Sequence, residues 1–316
     1  MPIRSRDFLE TSEGLVFAVL VDEPEEGRSL CFLRYVRDED GLRKMATGEA
    51  NSLLATRFPH YLFHSKKRDA SLHGVYEDRV SIHHQASPRL TEIINSKSPD
   101  PLETKLAFVC KLLTEGGLML SDLGVTGSLL IGAQTPHSDI DVVVYGRKQF
   151  IMLRRKLERA INQSTLDPLT EEQWKDSYER RGCSLSFSEY IWHEKRKYNK
   201  VLVSGTKVDF SLVSDTGYEA DQSYRKTGFQ QVTAKVTDDK HAFDHPSIYR
   251  IRHHEIEEIC CFTPTFTGQA KVGETIVAQG MVEESLSGAR RLVIGSSREA
   301  PGEFIKILAG KACAHS

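Results

Sequence analysis

The sequence predicts an α+β protein of three parts, and two patterns of apolar residues carry that prediction. Apolar residues recur at helical spacing in the middle of the chain, from Leu102 to Leu113 and from Phe150 to Ile161. From Gln230 onward, short alternating segments are separated by glycines, which is typical of a small β-barrel or sandwich. We therefore expect a small mixed α/β N-terminal region (1–97), a central mixed sheet with flanking helices (98–220) and a β-rich C-terminal domain (221–316).

The composition is that of an ordinary globular protein. The 316 residues include 42 basic and 44 acidic side chains, so no global field draws the chain to nucleic acid. The hydrophobic share of 39% with 27% charged residues excludes a disordered chain. The longest apolar run, Leu15 to Val21, is too short to cross a bilayer, and Met1 to Arg4 lacks a signal-peptide pattern. The sequence therefore predicts a cytoplasmic protein with no membrane partner.

The cysteines and paired histidines show no metal-binding pattern. The six cysteines form no C-x-x-C pair, so we expect reduced core thiols and no structural zinc. Neighbouring residues on a strand point to opposite faces, so His83-His84 and His253-His254 cannot easily chelate one ion. We expect both histidine pairs at the surface or in turns.

The N-terminal region begins with a predicted β-hairpin. Two strand-like runs, Leu15 to Val21 and Leu30 to Val36, flank a loop that contains Pro24 and Gly27. The acidic segment Asp38-Glu39-Asp40-Gly41 follows among basic residues and ends in glycine. We interpret that segment as a solvated hairpin turn.

Three helices are predicted in the central domain. The first ends at Gly116-Gly117, a glycine C-cap, and the second carries a basic outer face between Arg147 and Arg159. The third is opened by Thr170, and Gln173 completes its capping box.

Two basic clusters in this region leave two interpretations open. One is the outer face of the second helix; the other comprises Lys195, Arg196, Lys197 and Lys200. Such runs are usually solvated faces, and the alternative is a cationic rim for a triphosphate or an RNA backbone. Lys195, Lys197 and Lys200 are the preferred candidates for a rim.

One segment combines a small turn with paired acidic residues. Gly127-Ser128 follows an apolar run, and Asp139-Ile140-Asp141 opens a second run rich in β-branched residues. Strand side chains alternate between faces, so Asp139 and Asp141 point the same way. Two carboxylates about 4 Å apart repel by about 4 kcal/mol at an effective dielectric of about 20, so such a pair usually holds a divalent cation.

A third carboxylate follows in a predicted hairpin around Gly205. Asp209 lies inside the apolar run from Val208 to Val213. A carboxylate in an apolar strand is costly unless it is paired or bound to metal. Asp209 is therefore the natural third ligand.

The order of these features resembles the nucleotidyltransferases of the DNA polymerase beta superfamily. The stretch from Gly127 to Gly146, with the lead-in Thr135-Pro136-His137-Ser138-Asp139, is most similar to predicted archaeal-type nucleotidyltransferases without an assigned substrate. The resemblance covers about residues 100 to 215 and implies a polymerase-beta-like mixed sheet. Thr126 departs from the family pattern, which prefers an apolar residue before Gly127.

The resemblance also implies a set of roles at the matching positions. Asp139 and Asp141 would bridge two Mg²⁺ ions, or Mn²⁺ in their place, and Asp209 would join the catalytic ion. Gly127 and Ser128 would hold the β and γ phosphates of a nucleoside triphosphate such as ATP, with Ser128 also capping a helix.

The resulting expectation is an enzyme of the EC 2.7.7 type. It would transfer a nucleoside monophosphate from a nucleoside triphosphate to a hydroxyl acceptor, and two metals would stabilise the charged oxygens of the transition state. The acceptor is an RNA end, a protein side chain or a small molecule. The alternative is a non-catalytic nucleotide- or RNA-binding module on the same fold.

Overall fold

The computed structural model describes residues 2–214, 223–297 and 300–308. The chain divides into two compact units. Unit 1 comprises Met1–Ser65, Ser71–Pro168 and Asn199–Asp215, and unit 2 comprises Lys66–Ala70, Leu169–Tyr198 and Thr216–Ser316. The three-domain boundaries set from the sequence stay a prediction.

The described residues form an α+β fold, as predicted. Its helices are α1 (Thr47–Arg57), α2 (Ala86–Ile94), α3 (Pro101–Glu115), α4 (Ser128–Ile131), α5 (Arg147–Asn162), α6 (Glu171–Arg181) and α7 (Phe187–Lys195). Its strands are β1 (Phe8–Thr11), β2 (Leu15–Val19), β3 (Arg28–Asp38), β4 (Gly41–Lys44), β5 (Leu62–Ser65), β6 (Ala70–Tyr76), β7 (Val80–His84), β8 (Leu123–Thr126), β9 (Ile140–Tyr145), β10 (Lys200–Val203), β11 (Thr206–Val213), β12 (Tyr224–His241), β13 (Ser247–Arg252), β14 (Glu258–Cys261), β15 (Thr275–Ser285), β16 (Arg290–Ile294) and β17 (Phe304–Ile307). No helix among these is long and apolar enough to span a membrane.

The N-terminal sheet has seven strands in the order β5-β6-β3-β2-β1-β7, with β4 paired to β3. The predicted hairpin is confirmed, because β2 and β3 pair antiparallel. The acidic turn is confirmed too, since Asp38 pairs with Gly41 across the β3–β4 hairpin and the residues between them are exposed. Helix α1 contributes Leu54 to the core on one face of this sheet, where it joins Phe17 and Leu33.

His83 and His84 lie in the edge strand β7 rather than in a turn, and each has an acidic partner, Asp7 just before β1 or Glu10 in β1. Nε2 of His83 is 2.8 Å from Asp7 Oδ2, and Nε2 of His84 is 3.0 Å from Glu10 Oε2. The two imidazoles are 19% and 17% exposed, so each is a partly buried member of a polar pair. His254, by contrast, is exposed in a bend, as predicted.

The expectation that the cysteines are core thiols is confirmed for four of the five cysteines in the part of the chain that the structure describes. Cys31, Cys110, Cys260 and Cys261 are free and buried, and Cys183 is free and half-buried. Burial raises the pKa of the Cys110 thiol to about 12, so this cysteine is a neutral core residue. Cys313 lies outside the described residues.

The second sheet of unit 1 has the order β10-β11-β9-β8. Strands β9 and β11 are parallel, and the other neighbours are antiparallel. The predicted helices are present: α3 starts with a capping box from Asp100 and stops before Gly116, and α5 buries Phe150, Leu153 and Leu157. The hairpin around Gly205 is β10–β11.

The β-rich prediction for the C-terminal region is confirmed by strands β12 to β17. They follow the order β12-β13-β14-β16-β15-β17, and β12 also pairs with β15. Five strands therefore close into a barrel, with β14 and β16 parallel and the long β12 shared between two neighbours. This is the arrangement of an OB-like barrel.

A row of alternating charges crosses the outside of this barrel. On consecutive strands, the directly opposed residues are Lys226, Glu283, Arg291, Glu258 and Arg250. The guanidinium of Arg291 donates two hydrogen bonds to Glu283, at 3.0 and 2.8 Å, and both side chains are buried. The charges of this row compensate one another within the barrel.

Helices α6 and α7 belong to unit 2. The predicted capping box at Thr170 is present, and Trp174 of α6 is buried. Helix α7 starts with a second box, between Ser186 and Glu189, and reaches the barrel through an ion pair of Glu189 with Lys306 at 2.9 Å.

Candidate active site

The carboxylates of Asp141 and Asp209 lie on the same face of the β8–β11 sheet. The parallel pairing of β9 and β11 places Asp209 directly opposite Asp141. The two edge strands of this sheet continue the row: β10 places Lys200 opposite Asp209, and β8 places Thr126 opposite Asp141. One row therefore crosses all four strands as Thr126, Asp141, Asp209 and Lys200, with two acids at its centre.

Asp139 extends this group from the residue just before β9. Its position two residues ahead of Asp141 puts its side chain on the same face. The three carboxylates predicted from the sequence are thus brought to one place. Among the described residues, however, no three acidic, histidine or cysteine side chains already form a metal-binding group. Asp139 and Asp209 instead each have a lysine partner.

Burial and the neighbouring acids both affect the pKa of Asp141. Burial, then the carboxylates of Asp209 and Asp139, raise the pKa of Asp141 to about 6. Lys207 and Arg6 act in the opposite direction. A pKa raised by neighbouring anions means that bringing in positive charge would be favourable. Three hard oxygen donors in this setting fit a divalent cation such as Mg²⁺.

Gly127 is required by the approach of Asp141. Its backbone has φ 66° and ψ −144°, a conformation that side chains disfavour. A Cβ atom at this position would lie 2.5 Å from Asp141 Oδ2. The turn after β8 therefore runs directly against the carboxylate at the centre of the row.

The expected capping role of Ser128 is wrong. Helix α4 begins at Ser128, so the N-cap position is Gly127, and no side chain caps it. Ser128 is half-buried and is the first of the four residues of α4, and Gly132 is the C-cap of this helix. Its hydroxyl is thus not needed to satisfy the helix end.

The three predicted lysines fall into different places. Lys200 lies in unit 1, with its Nζ 3.8 Å from Asp209 Oδ1. Lys195 and Lys197 belong to unit 2. Lys195 is exposed at the end of α7, whereas the ammonium of Lys197 is buried and donates to Glu194 and, at 2.7 Å, to the carbonyl of Thr265. Lys197 is therefore a core ion pair rather than a solvent-facing cation, and we leave Lys195 and Lys197 out of the site.

Three site residues were missed from the sequence. The first is Lys207, which donates to Asp139 Oδ2 at 2.6 Å. The other two are Arg6, which lowers the pKa of Asp141, and Tyr35, whose own pKa is raised in part by the carboxylate of Asp141. Burial and Asp141 raise the pKa of Tyr35, while Arg34 opposes them. Lys207 could have been found from its position two residues before Asp209, which gives the two side chains a common face.

Tyr35 lies in β3 of the N-terminal sheet, which packs against α4, and Arg6 lies in the turn that precedes β1. Tyr35 clusters with Phe8 and Val16 of that sheet and with Leu130 and Ile131 of α4. The hydroxyl of Thr126 donates to the carbonyl of Arg6 at 2.7 Å. The polar residue that departs from the family pattern therefore holds the N-terminal segment beside the carboxylates.

Comparison with known proteins agrees with this geometry. A family profile described as a nucleotidyltransferase domain matches residues 106–217, a range that includes the glycine turn and all three aspartates. The chain belongs to this polymerase-beta-like nucleotidyltransferase family.

One relative extends over the whole chain. The uncharacterized protein MJ1086 of Methanocaldococcus jannaschii is 34% identical over 338 residues, which cover 97% of this chain and 99% of that protein. The relationship therefore includes the N-terminal sheet and the C-terminal barrel. No solved structure matches the chain.

Proposed function

We propose that this protein is a Mg²⁺-dependent nucleotidyltransferase that transfers a nucleoside monophosphate from a nucleoside triphosphate, such as ATP, to a hydroxyl acceptor, a reaction of the EC 2.7.7 type. The single observation that supports this most is the register that puts Asp209 opposite Asp141, beside Asp139. The raised pKa of Asp141 adds support, because it reflects burial first and then the neighbouring carboxylates of Asp209 and Asp139, and a bound cation would relieve the repulsion among them. Nucleoside triphosphates and Mg²⁺ are abundant in the cytoplasm, where we place the activity.

The carboxylates have distinct tasks in this proposal. Asp139 and Asp141 would hold two divalent ions, and Asp209 would join them at the ion on the acceptor side. When bound, such ions stabilise negative charge on the attacking and leaving oxygens. Mn²⁺ would serve in place of Mg²⁺, because both accept carboxylate oxygens.

The turn after β8 supplies the phosphate contacts. Gly127 has no side chain, so its backbone lies directly against the carboxylate of Asp141. Phosphate groups held by that carboxylate's metal ions would therefore lie close to the backbone of the turn. The backbone amides and the hydroxyl of Ser128 would donate to the β and γ phosphates. Lys200, half-buried beside Asp209, would add positive charge near the transferred phosphate.

The identity of the hydroxyl acceptor is a separate part of the proposal. RNA ends remain our first candidate, with protein side chains and small molecules as the others. The barrel of unit 2 gives no special support to RNA, because its outward row of charges is compensated by internal ion pairs. A stabilising role for the barrel is the simpler interpretation.

A labelling experiment separates these acceptors. Purified protein is incubated with each α-³²P nucleoside triphosphate, Mg²⁺ and either pooled cellular RNA, a protein extract or a metabolite extract. We expect label on one class of acceptor, with pyrophosphate released in equal amount. Nucleotide binding without transfer to any class would contradict the proposal and favour a non-catalytic nucleotide-binding module.

A further inference from the structure

Lys207 occupies a position that none of the predicted roles uses. Val208 pairs with Ile140 and Asp209 with Asp141 in the parallel β9–β11 register, so Lys207 lies beside Asp139. Its Nζ is 2.6 Å from Asp139 Oδ2, and its side chain is 12% exposed. The lysine is thus held within the sheet face that carries the three acids.

The lysine contacts an atom that a metal ion would need. In the proposed function, Asp139 is one of the two aspartates that bridge the metals. An ammonium and a divalent cation on one carboxylate oxygen repel each other, because both are positive, so binding of one weakens binding of the other. Lys207 and the metal therefore compete for Asp139 Oδ2.

The chemistry of lysine makes such an exchange feasible. Its charge is a compact ammonium on a flexible four-carbon stem, with three donors that can change partners. A nucleoside triphosphate that enters with its metal brings several anionic oxygens to the same face. The ammonium then has a new partner a short distance from the old one.

We propose that Lys207 is an exchangeable counter-ion, bonded to Asp139 until a metal–nucleotide complex binds and then bonded to the triphosphate. This inference rests on the proposed function and adds a substrate-binding residue to it. It has a thermodynamic consequence: metal alone binds weakly, because it must displace the lysine, and nucleotide strengthens metal binding by giving the lysine another partner. Metal and nucleotide therefore bind cooperatively.

The test uses Lys207→Met in the full chain, with Lys105→Met as the matched control. Lys105 of α3 donates to the carbonyl of Ser204 and to Thr206 Oγ1 in the β10–β11 hairpin, so Lys105→Met removes one positive charge beside that hairpin without removing the contact to Asp139. Binding of Mn²⁺ alone is measured by electron paramagnetic resonance. Binding of an ATP analogue with a methylene bridge between the α and β phosphates is measured by calorimetry at saturating Mn²⁺.

The affinity for Mn²⁺ alone and the affinity for the analogue should change in opposite directions. In Lys207→Met, Mn²⁺ alone should bind more tightly and the analogue more weakly, each on the order of ten-fold, a size typical of coupling between sites. Lys105→Met should behave as the wild type. Lys207→Arg, which keeps the charge, should keep the weak binding of Mn²⁺ and recover part of the affinity for the analogue.

Two results would overturn the inference in distinguishable ways. Unchanged or weaker Mn²⁺ binding in Lys207→Met, with wild-type protein that binds both ligands, would reject the exchange alone. Wild-type protein that binds neither Mn²⁺ nor the analogue would reject the proposed function and the exchange together. Folding of each variant is checked by its thermal transition.

Discussion

At the scale of single residues, the site depends on the spacing between one glycine and one carboxylate. Asp141 lies among two other acids, and burial keeps water from screening them. Gly127 permits this carboxylate to approach the turn that precedes α4.

Gly127→Ala tests that approach. The added Cβ would lie 2.5 Å from Asp141 Oδ2, on a backbone that costs on the order of 1–3 kcal/mol for a residue with a side chain. We expect a lower melting temperature and a loss of nucleotide affinity of at least about ten-fold, measured by calorimetry. The control is Gly132→Ala, where φ is 69° and no atom lies within 4 Å of the new Cβ. Equal loss of affinity in both variants would attribute the effect to backbone strain alone.

The sequence predicted the three acids and, of their cationic neighbours, Lys200 but not Lys207 or Arg6. Asp139, Asp141 and Asp209 could be chosen because carboxylates in apolar strands are conspicuous in any sequence. Lys207 shares a face with Asp209 because it lies two residues earlier, but its contact with Asp139 depends on the parallel register of two strands, which strand patterns do not specify. The error at Lys197 has a visible cause, since Glu194 lies three residues earlier on the same side of α7 and forms its ion pair.

At the scale of secondary-structure elements, the N-terminal sheet forms one wall of the site. Its contact with α4 is apolar around Tyr35, and a single hydroxyl bond from Thr126 fixes the adjoining segment at Arg6. The position of Arg6 relative to Asp141 therefore depends on β8 as much as on the N-terminal chain.

Thr126→Val tests that attachment with little change in shape. Loss of the bond leaves the carbonyl of Arg6 without this donor, which should lower the free energy of unfolding by about 1 kcal/mol. We also expect a higher KM for the nucleotide, because Arg6 is less well held. Thr126→Ser keeps the hydroxyl and should restore both values. A valine variant with wild-type stability and KM would show that the hydroxyl bond does not position the segment.

The contact of α7 with the barrel predicts a response to acid. Burial first, then Lys197 and Arg196, lower the pKa of His193 to about 3, and Nε2 of this neutral ring accepts from the amide of Ile307. The unfolded chain takes up a proton near the ordinary pKa of about 6.5, whereas the folded protein does not until about 3. The free energy of unfolding should therefore fall as pH drops from about 6.5 towards 3.

His193→Gln is the variant for this measurement, because glutamine can accept the same hydrogen bond and does not titrate. Its chemical denaturation across that pH range should show a shallower loss of stability than the wild type. Identical slopes would mean that the imidazole is not the group responsible.

Elements with strong patterns were predictable, and those defined by tertiary contacts were not. Helices α3 and α5 and all six C-terminal strands lie where periodicity and glycines indicate them. Helix α1 was missed because only Ala50 and Leu54 are buried, which is too sparse a stripe to recognise. The part-buried pairs of His83 and His84 were missed because their acids, Asp7 and Glu10, lie more than seventy residues earlier in the chain.

At the scale of the whole molecule, the clustered anions connect ligand binding to stability. Without ligand, Asp141→Asn should raise the free energy of unfolding on the order of 1 kcal/mol, because it relieves repulsion among the acids. Mg²⁺ with nucleotide should raise the melting temperature of the wild type but not that of the variant. A variant that responds to the ligands like the wild type would argue against metal binding at these acids. Differential scanning calorimetry measures both effects.

The most direct test of the account compares two aspartates that each belong to a D-x-D segment. Release of pyrophosphate from a nucleoside triphosphate, in the presence of Mg²⁺ and the acceptor fraction found by labelling, is measured for Asp141→Asn and for Asp40→Asn. Asp40 lies in the exposed turn between β3 and β4, away from any predicted role. The account predicts that Asp141→Asn lowers the rate by at least about a thousand-fold and that Asp40→Asn leaves it unchanged. Comparable rates in Asp141→Asn and the wild type would contradict it.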